Sequence, residues 1–363
     1  MRRILLTVAY DGSSYVGWQV QPNGMAIEEV LNGALKALLH EETAVIGASR
    51  TDSGVHADGN WAVFDTESRI PADKFKFAIN EFLPDDIAVL ESREVPLSFH
   101  PRKLNSVKTY EYRILNRPIR SPKERNFAYF YYYPLDAEKM NRAARVLLGE
   151  HDFKSFCSIR TQIEDTVRRI YEISVTRDGD VLTLRISGNG FLYNMVRIIV
   201  GTLVKIGAGI WPESLMKEIL EARDRAKAGP RAPAMGLTLK SIVAEETLPA
   251  VTDERNEHWS YVLYQDRIPD EGIGFLRIRA CDEADYARLL LRLTKQLSRN
   301  GADSVFVSDE TGRLRDGMEA AYFTYRTAEL QADFPTDFKT PVFVTSDPRK
   351  LGPEDGDDEG AEG

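Results

Sequence analysis

The chain has 363 residues, of which 43% are hydrophobic and 28% charged, and its formal net charge is −9. This is a globular composition, which argues against a disordered chain, a collagen or a coiled-coil rod, and the length predicts two or three domains. No uncharged apolar run reaches about 18 residues, and the apolar stretch before Asp11 is too short for a signal peptide. Two cysteines give neither a disulfide framework nor zinc spacing. We therefore expect a cytoplasmic protein without a membrane span.

The first hundred residues alternate between strand and helix patterns. Residues 2–9 have the two-residue alternation of a strand, and a turn follows at 11–14. Residues 26–40 place their apolar side chains on one helical face. Short strands are predicted at 44–48, 60–65 and 87–91.

The next part of the chain repeats this mixture. Residues 106–115 predict a longer strand, in which Tyr110, Tyr112 and Ile114 share one side. The pattern predicts a strand at 126–133, a helix at 137–148, a hairpin of strands 168–177 and 181–187, and a buried helix at 191–206.

The pattern predicts an α+β protein, because antiparallel strands are mixed with helices. Two similar halves with antiparallel sheets flanked by helices are expected at 1–105 and 106–245. A polar linker over 246–257 would lead to a small α+β module at 258–345, and residues 346–363 predict a disordered acidic tail. Within the module, strands are predicted at 259–264, 274–280, 303–308 and 319–327, with a helix at 282–299.

Charge is distributed unevenly along the chain. Residues 1–250 hold 33 Lys and Arg against 32 Asp and Glu, whereas residues 251–363 hold 14 against 24. A basic cluster lies at 102–125, where only two glutamates oppose eight cations. Its members are Arg102, Lys103, Lys108, Arg113, Arg117, Arg120, Lys123 and Arg125. The cluster suits an RNA backbone with exposed bases nearby, or else it is a solvated strand and loop.

Several common catalytic signatures are absent from the sequence. There is no P-loop, no dinucleotide-binding glycine motif, no H-E-x-x-H and no G-x-S-x-G elbow. The five histidines lack metal-ligand spacing. These absences argue against nucleotide hydrolases, dehydrogenases, zinc enzymes and serine hydrolases.

The stretch ASRTDSGVHA (48–57) is the most informative in the sequence. A predicted strand runs into a polar turn that carries Arg50 and Asp52, and then returns into another strand. Loops on a rigid scaffold often hold catalytic groups, so Asp52 is a candidate catalytic carboxylate. The alternative is that Asp52 only caps the turn, as aspartate does routinely.

These residues and four further motifs resemble the TruA family of tRNA pseudouridine synthases. RTDSGVHA is similar to the family's R-T-D-x-G-V-H-A signature, and the other motifs follow in the family's order over residues 1 to about 245. They are YDGSSYVGWQVQP (10–22), FHPRKLNSVKTYEY (99–112), GNGFLYNMVRIIVG (188–201) and APAMGLTL (232–239). The acidic C-terminal module lies outside the resemblance, which implies the pseudouridine synthase fold for the rest.

The resemblance implies a role for each matching residue. Asp52 matches the catalytic aspartate, and Tyr110 the tyrosine that stacks on the target uracil. Arg197 matches the arginine that pairs with the aspartate, Arg50 the one that helps flip and hold the nucleotide, and Leu237 an apolar residue of the base pocket. Without the motif, Tyr110 would be core packing beside Tyr112 and Arg197 a rim arginine. Yet one charge on a buried helix needs a partner, and Asp52 is the expected one.

The sequence departs from the family pattern near the predicted catalytic residue. Ser49 stands where the family usually has glycine, and Ser53 where it usually has alanine. Ala26-Ile27-Glu28 replaces a Thr-Val-Gln type of stretch. No reacting group is lost, but serine resists backbone angles that glycine permits. His56 and Tyr112 are interpreted as structural.

The implied reaction breaks the N1–C1′ bond of uridine, turns the base and joins C5 to C1′. It changes no oxidation state, so neither a cofactor nor a metal is expected. A free aspartate is ionised at neutral pH and needs no partner to deprotonate it. Three roles stay open for Asp52: attack on C1′, attack on the base, or removal of the C2′ proton.

The resemblance also implies partners: tRNA, with uridines 38 to 40 of the anticodon arm as targets, and a second copy of the chain in a homodimer. tRNA affinity should fall steeply with salt. Two alternatives are a tRNA-folding chaperone that has lost turnover and a hydrolase of nucleosides or glycans. The acidic module is expected to contact a protein or its own dimer partner rather than phosphate.

Overall fold

The computed structural model describes residues 1–158 and 165–244, and within the remainder the segments 250–255, 259–268, 271–281, 304–309 and 343–345 with Leu293. The chain divides into two compact units, Met1–Ala244 and Glu245–Gly363. Each unit has its own sheet.

The first part of the larger unit follows the predicted order. It contains β1 (Arg2–Tyr10), α1 (Ile27–Leu39), β2 (Ile46–Gly47), β3 (His56–Thr66), α2 (Phe75–Asn80) and β4 (Ile87–Val95). The predicted turn after β1 is a short 3-10 helix whose first turn is capped by Asp11 through the Ser13 amide at 2.9 Å. In α1 the buried face carries Ile27, Leu31 and Leu35, at the spacing of an amphipathic helix.

The second part adds the elements that complete the sheet. These are β5 (Ser106–Asn116), β6 (Tyr129–Tyr131), α3 (Ala137–Arg145), β7 (Gly149–Asp152), β8 (Val167–Asp178), β9 (Val181–Gly188), α4 (Met195–Gly207), α5 (Leu215–Ala222) and β10 (Leu237–Ala244). The hairpin of β8 and β9 is where the sequence predicts it. Elements α2, β7, α5 and β10 were not predicted, and β6 is shorter than predicted. Helix α4 begins at Met195 rather than 191, because Asn194 adopts a left-handed conformation with φ of 62°.

One continuous sheet runs through both parts, in the order β4-β1-β3-β10-β5-β9-β8-β7. The predicted α+β class is confirmed. The parts join where β3 and β10 run parallel, with Thr238 opposite His56 and Leu239 opposite Ala57. Because parallel strands start at the same edge of a sheet, the loop before β3 and the start of β10 lie side by side.

Helix α4 lies in the core, and twelve of its thirteen residues, Arg197 among them, are buried. This confirms the prediction of a buried helix. In the described part of the chain, no helix combines the length and the apolar character needed to cross a bilayer.

The smaller unit holds a five-stranded sheet. Its strands are β11 (Ala250–Arg255), β12 (Trp259–Ile268), β13 (Glu271–Cys281), β14 (Ser304–Asp309) and β15 (Phe343–Thr345), paired in that order. Strand β11 falls inside the predicted linker 246–257, so the prediction of a linker is wrong for these residues. Their polar composition does not indicate a strand, but their backbone pairs with β12. The predicted strand 319–327, most of the helix 282–299 and the tail 346–363 lie outside the described residues.

Candidate active site

The loop between β2 and β3 is held in place by the segment that follows β1. Gly17 forms a β-bridge with Asp52, and the Trp18 amide donates to the Thr51 carbonyl at 3.1 Å. The Gly54 amide donates to the Tyr15 carbonyl at 3.3 Å. At Gly17, where φ is +110°, a Cβ would lie 2.5 Å from the Thr51 oxygen, so only glycine fits. The N-terminal motif therefore serves as the support of the RTDSGVHA loop.

Asp52 and Arg197 form a largely buried ion pair. The Arg197 Nη1 donates to Asp52 Oδ2 at 2.9 Å, and the two side chains are 8% and 18% exposed. The guanidinium also donates from Nε to the Ala232 carbonyl at 2.8 Å and from Nη1 to Asn194 Oδ1 at 3.1 Å. These bonds fix the direction of the guanidinium, so the expected partner of Asp52 is found in contact with it.

Opposing influences act on the Asp52 carboxyl. Burial raises its pKa above the ordinary aspartate value, while the positive charges of Arg197 and Arg231 oppose that rise. The Arg197 guanidinium thus favours the ionised carboxylate in a site whose burial disfavours it. Such a carboxylate can act as a nucleophile or a base.

Tyr110 lies on β5, opposite Leu239 of β10. Its hydroxyl is 2.9 Å from the Ser49 hydroxyl, and the Phe191 ring meets it edge-on at 5.1 Å between centroids. Burial raises the pKa of Tyr110 to about 12, so the phenol stays protonated at neutral pH. The ring is thus a fixed apolar surface and not a proton acceptor.

A cleft of about 710 Å³ brings the predicted residues together. It is lined by Arg50, Asp52, Tyr110, Arg197 and Leu237, all five of the residues that the sequence indicates. Arg50 is exposed, and Leu237 is buried where β10 begins. Within the described residues, no group of three or more His, Cys, Asp or Glu side chains is arranged to hold a metal ion.

The sequence did not point to several residues that shape this cleft. Asn194, which directly precedes α4, accepts from Arg197 and donates from Nδ2 to the Ser158 hydroxyl at 2.8 Å. The Phe191 ring packs edge-on against Tyr110, and nothing in the sequence distinguishes Phe191 from a residue of the hydrophobic core. Ser49 stands out in the sequence only as a departure from the family pattern. Strand alternation could have placed Lys108 here, because it lies two residues before Tyr110 on β5.

Two residues interpreted as structural have structural contacts. The buried His56 ring accepts from the Gly12 amide at Nδ1, at 3.1 Å, and its Nε2 is 2.8 Å from the Asn126 carbonyl. Tyr112 is fully buried and donates to the Pro233 carbonyl at 2.8 Å. Both side chains therefore link segments that are distant in sequence.

The basic cluster 102–125 is not one patch. Lys108 and Arg117 lie nine residues apart on an extended path, a separation of about 30 Å. Arg117 pairs with Asp180, and Arg113 pairs with Glu124. Arg102 and Lys108 line the cleft instead.

Comparisons with known proteins identify the family of the chain. A family model described as tRNA pseudouridine synthase matches residues 6–102 and 143–243. The tRNA pseudouridine synthase A of Caldicellulosiruptor bescii is 46% identical over 243 residues, which are 67% of this chain and all of that protein. The proteins of the same name from Thermoanaerobacter sp. X514 and Halalkalibacterium halodurans are 45% and 48% identical, over 67% and 65% of this chain and 100% and 90% of their own lengths. The chain belongs to the TruA family of tRNA pseudouridine synthases.

Proposed function

We propose that this chain converts uridine to pseudouridine in the anticodon stem-loop of tRNA, at positions 38, 39 and 40, with Asp52 as the nucleophile. The single observation that carries the proposal is the buried ion pair of Asp52 and Arg197 in a cleft shared with Tyr110. Family membership makes tRNA the substrate and isomerisation the reaction.

The reaction needs an ionised group at the sugar or base and a way to hold the base while its bonds change. The N1–C1′ bond breaks, the base turns, C5 joins C1′, C5 loses its proton and N1 gains one. Asp52 supplies the ionised group, and the three bonds of Arg197 keep it oriented. Orientation of this kind lowers the entropic part of the barrier.

The target base must leave its stack before it can meet Asp52. Extrusion costs a few kcal/mol, and an aromatic platform returns about 1–3 kcal/mol by stacking. In our proposal Tyr110 is that platform, Leu237 forms an apolar wall of the base pocket, and the exposed Arg50 holds the flipped nucleotide from the rim.

We further propose that the enzyme works in the cytoplasm as a homodimer that binds one tRNA across both subunits. The smaller unit, Glu245–Gly363, is compact in itself and carries most of the acidic excess. We propose that it contacts a protein or the dimer partner. Truncation after residue 248 tests this: a folded truncation that loses tRNA binding would contradict the assignment.

A second candidate function is a tRNA-folding chaperone without turnover. The serine at position 49, bonded to the Tyr110 hydroxyl, is the observation that favours it, because it adds a contact at the expected stacking residue. The ion pair of Asp52 and Arg197 favours the enzyme, since a chaperone needs no buried carboxylate.

The deciding experiment uses unmodified tRNA transcripts with the wild-type chain and Asp52→Asn. Pseudouridine is mapped by chemical modification and primer extension. We expect modification in the anticodon arm by wild type only, with tRNA binding kept by the variant. Modification by Asp52→Asn would refute the nucleophile, and modification elsewhere would refute the target. Binding without modification by wild type would favour the chaperone.

A further inference from the structure

Two cations at the cleft have no role in the reaction described above. Lys108 extends from β5 and donates from Nζ to the Ala48 carbonyl at 3.2 Å. Arg102 donates from Nε to the Gly47 carbonyl at 2.7 Å. The two acceptors are consecutive in the chain and lead into the loop of Asp52, so both side chains are anchored at the same place.

Each anchor uses only part of the donor capacity. A lysine ammonium has three donors and a guanidinium five, so Lys108 keeps two N–H bonds and Arg102 four beyond those that hold the loop. Both side chains line the cleft. Their remaining donors are therefore available to a ligand that enters beside Tyr110.

The charges of the two side chains are not neutralised by an ion pair, although the negative charge of Glu28 acts on Arg102 and is opposed there by the positive charge of Arg50. In the part of the chain that the structure describes, no carboxylate forms an ion pair with Lys108 or Arg102, and Asp52 is taken by Arg197. Burial, with the positive charges of Arg102 and Arg168, lowers the pKa of Lys108 to about 8. An anion between the cations would remove this repulsion.

We propose that Arg102 and Lys108 form a phosphate-binding site that holds an RNA backbone phosphate next to the target uridine. The proposal rests on the proposed function for the identity of that nucleotide. Phosphate is the anion that a nucleotide brings when its base enters the cleft, and lysine and arginine together suit its oxygens. Because the same side chains hold the carbonyls of Gly47 and Ala48, the site would also align the Asp52 loop with the bound nucleotide.

Other features of the described residues do not indicate a ligand. The exposed tyrosines around β6 and the exposed apolar side chains of α2 and β4 show no feature that identifies an occupant. His56 has both ring nitrogens engaged.

The test measures binding of full-length protein to a tRNA transcript at several salt concentrations, for wild type, Lys108→Gln, Arg102→Gln and Lys108→Arg. Lys217→Gln is the matched control, because Lys217 is exposed and pairs with Glu221 on α5. We expect each glutamine variant to reduce the slope of log Kd against log salt by about 0.7–0.9, the amount for one lost phosphate contact. Lys108→Arg and the control should keep the wild-type slope.

A second arm removes the charge from the RNA. A transcript with a neutral methylphosphonate at the phosphate on either side of the target uridine should bind wild type several-fold more weakly at one of the two positions. For the transcript neutralised at that position, Lys108→Gln should have the same tRNA affinity as wild type. Unchanged salt slopes in both glutamine variants would overturn the proposal. So would affinity losses from Lys108→Gln and from the methylphosphonate that add when the two changes are combined.

The controls separate a structural role from a binding role. If Lys108→Gln has a lower melting temperature than wild type, Arg102→Gln and the methylphosphonate transcripts decide the question. A side chain that only supports the loop would lower kcat and leave the salt slope intact, which counts against the site. If wild type binds tRNA with the expected slope but makes no pseudouridine in the anticodon arm, the proposed function fails while the phosphate site stands.

Discussion

The ion pair of Asp52 and Arg197 should make a large contribution to the free energy of unfolding of the larger unit. Replacing Arg197 by methionine keeps much of the side-chain volume but leaves a carboxylate with 82% of its side chain covered and no cation on it. Breaking a buried pair from one side typically costs about 3–5 kcal/mol. The orphaned Ala232 carbonyl adds to the loss, because an unsatisfied buried acceptor costs about 1–3 kcal/mol. We expect Arg197→Met to destabilise the larger unit by about 4–8 kcal/mol at neutral pH, which is the sum of the two losses.

A double-mutant cycle isolates the pair from these other contacts. In an Asp52→Asn background the carboxylate charge is gone, so Arg197→Met should cost about 2–3 kcal/mol less than in the wild type. Urea unfolding followed by tryptophan fluorescence measures the cycle, since Trp18, Trp61 and Trp211 lie in the larger unit. Equal costs of Arg197→Met in both backgrounds would refute the reasoning.

The cycle also has a pH dependence of known sign. Burial raises the pKa of Asp52 in the folded state, and Arg197 counteracts the rise. A raised folded pKa means that stability falls as pH increases through the carboxyl titration, and it should fall further when Arg197 is absent. The difference between wild type and Arg197→Met should therefore widen towards neutral pH and narrow in acid. A difference that is constant with pH would contradict a charged Asp52.

Substitutions at two further positions test the parts around the pair. Tyr110→Phe keeps the ring and loses only the bond to Ser49, so kcat/KM for a tRNA transcript should stay within about ten-fold of wild type. Tyr110→Ala should lose about 1–3 kcal/mol of transition-state stabilisation, which lowers kcat/KM roughly ten- to hundred-fold. Equal losses in the two variants would show that the hydroxyl and not the ring matters. Gly17→Ala should lower both activity and melting temperature, because its Cβ would meet the Thr51 carbonyl, while Gly33→Ala on α1, where a Cβ meets nothing within 4 Å, should be neutral or stabilising. A harmless Gly17→Ala would show that the loop does not depend on this contact.

Local patterns predicted most of the secondary structure of the larger unit. Alternation in residues 2–9 and 106–115 predicted β1 and β5, and the spacing of apolar residues predicted α1 and α4. The failures have local causes. Strand β7 contains only Gly149 to Asp152 and lacks alternation, and the start of α4 depends on the left-handed backbone of Asn194.

The site was predictable to a different degree for each residue. The resemblance gave five of the residues that line the cleft, and the need of Arg197 for a partner pointed to Asp52. Strand alternation alone contained enough information to place Lys108 beside Tyr110. The Ser49 contact and the loop-holding bonds of Arg102 could not be predicted, because they join residues distant in sequence through backbone carbonyls or hydroxyls that no pattern marks.

The supports of the Asp52 loop come from far along the chain, which explains why the site lies where the two parts of the sheet meet. Arg197 is 145 residues from Asp52, and Lys108 is 60 residues from Ala48. The loop enters β3, and β3 pairs in parallel with β10, which begins at Leu237 in the cleft wall. Neither part of the sheet holds the carboxylate, the guanidinium and the tyrosine by itself. Because loop closure over such separations must be complete before the contacts form, the cleft is assembled only in the folded sheet, and a defect at the junction of β3 and β10 should disturb the ion pair and the phosphate site together.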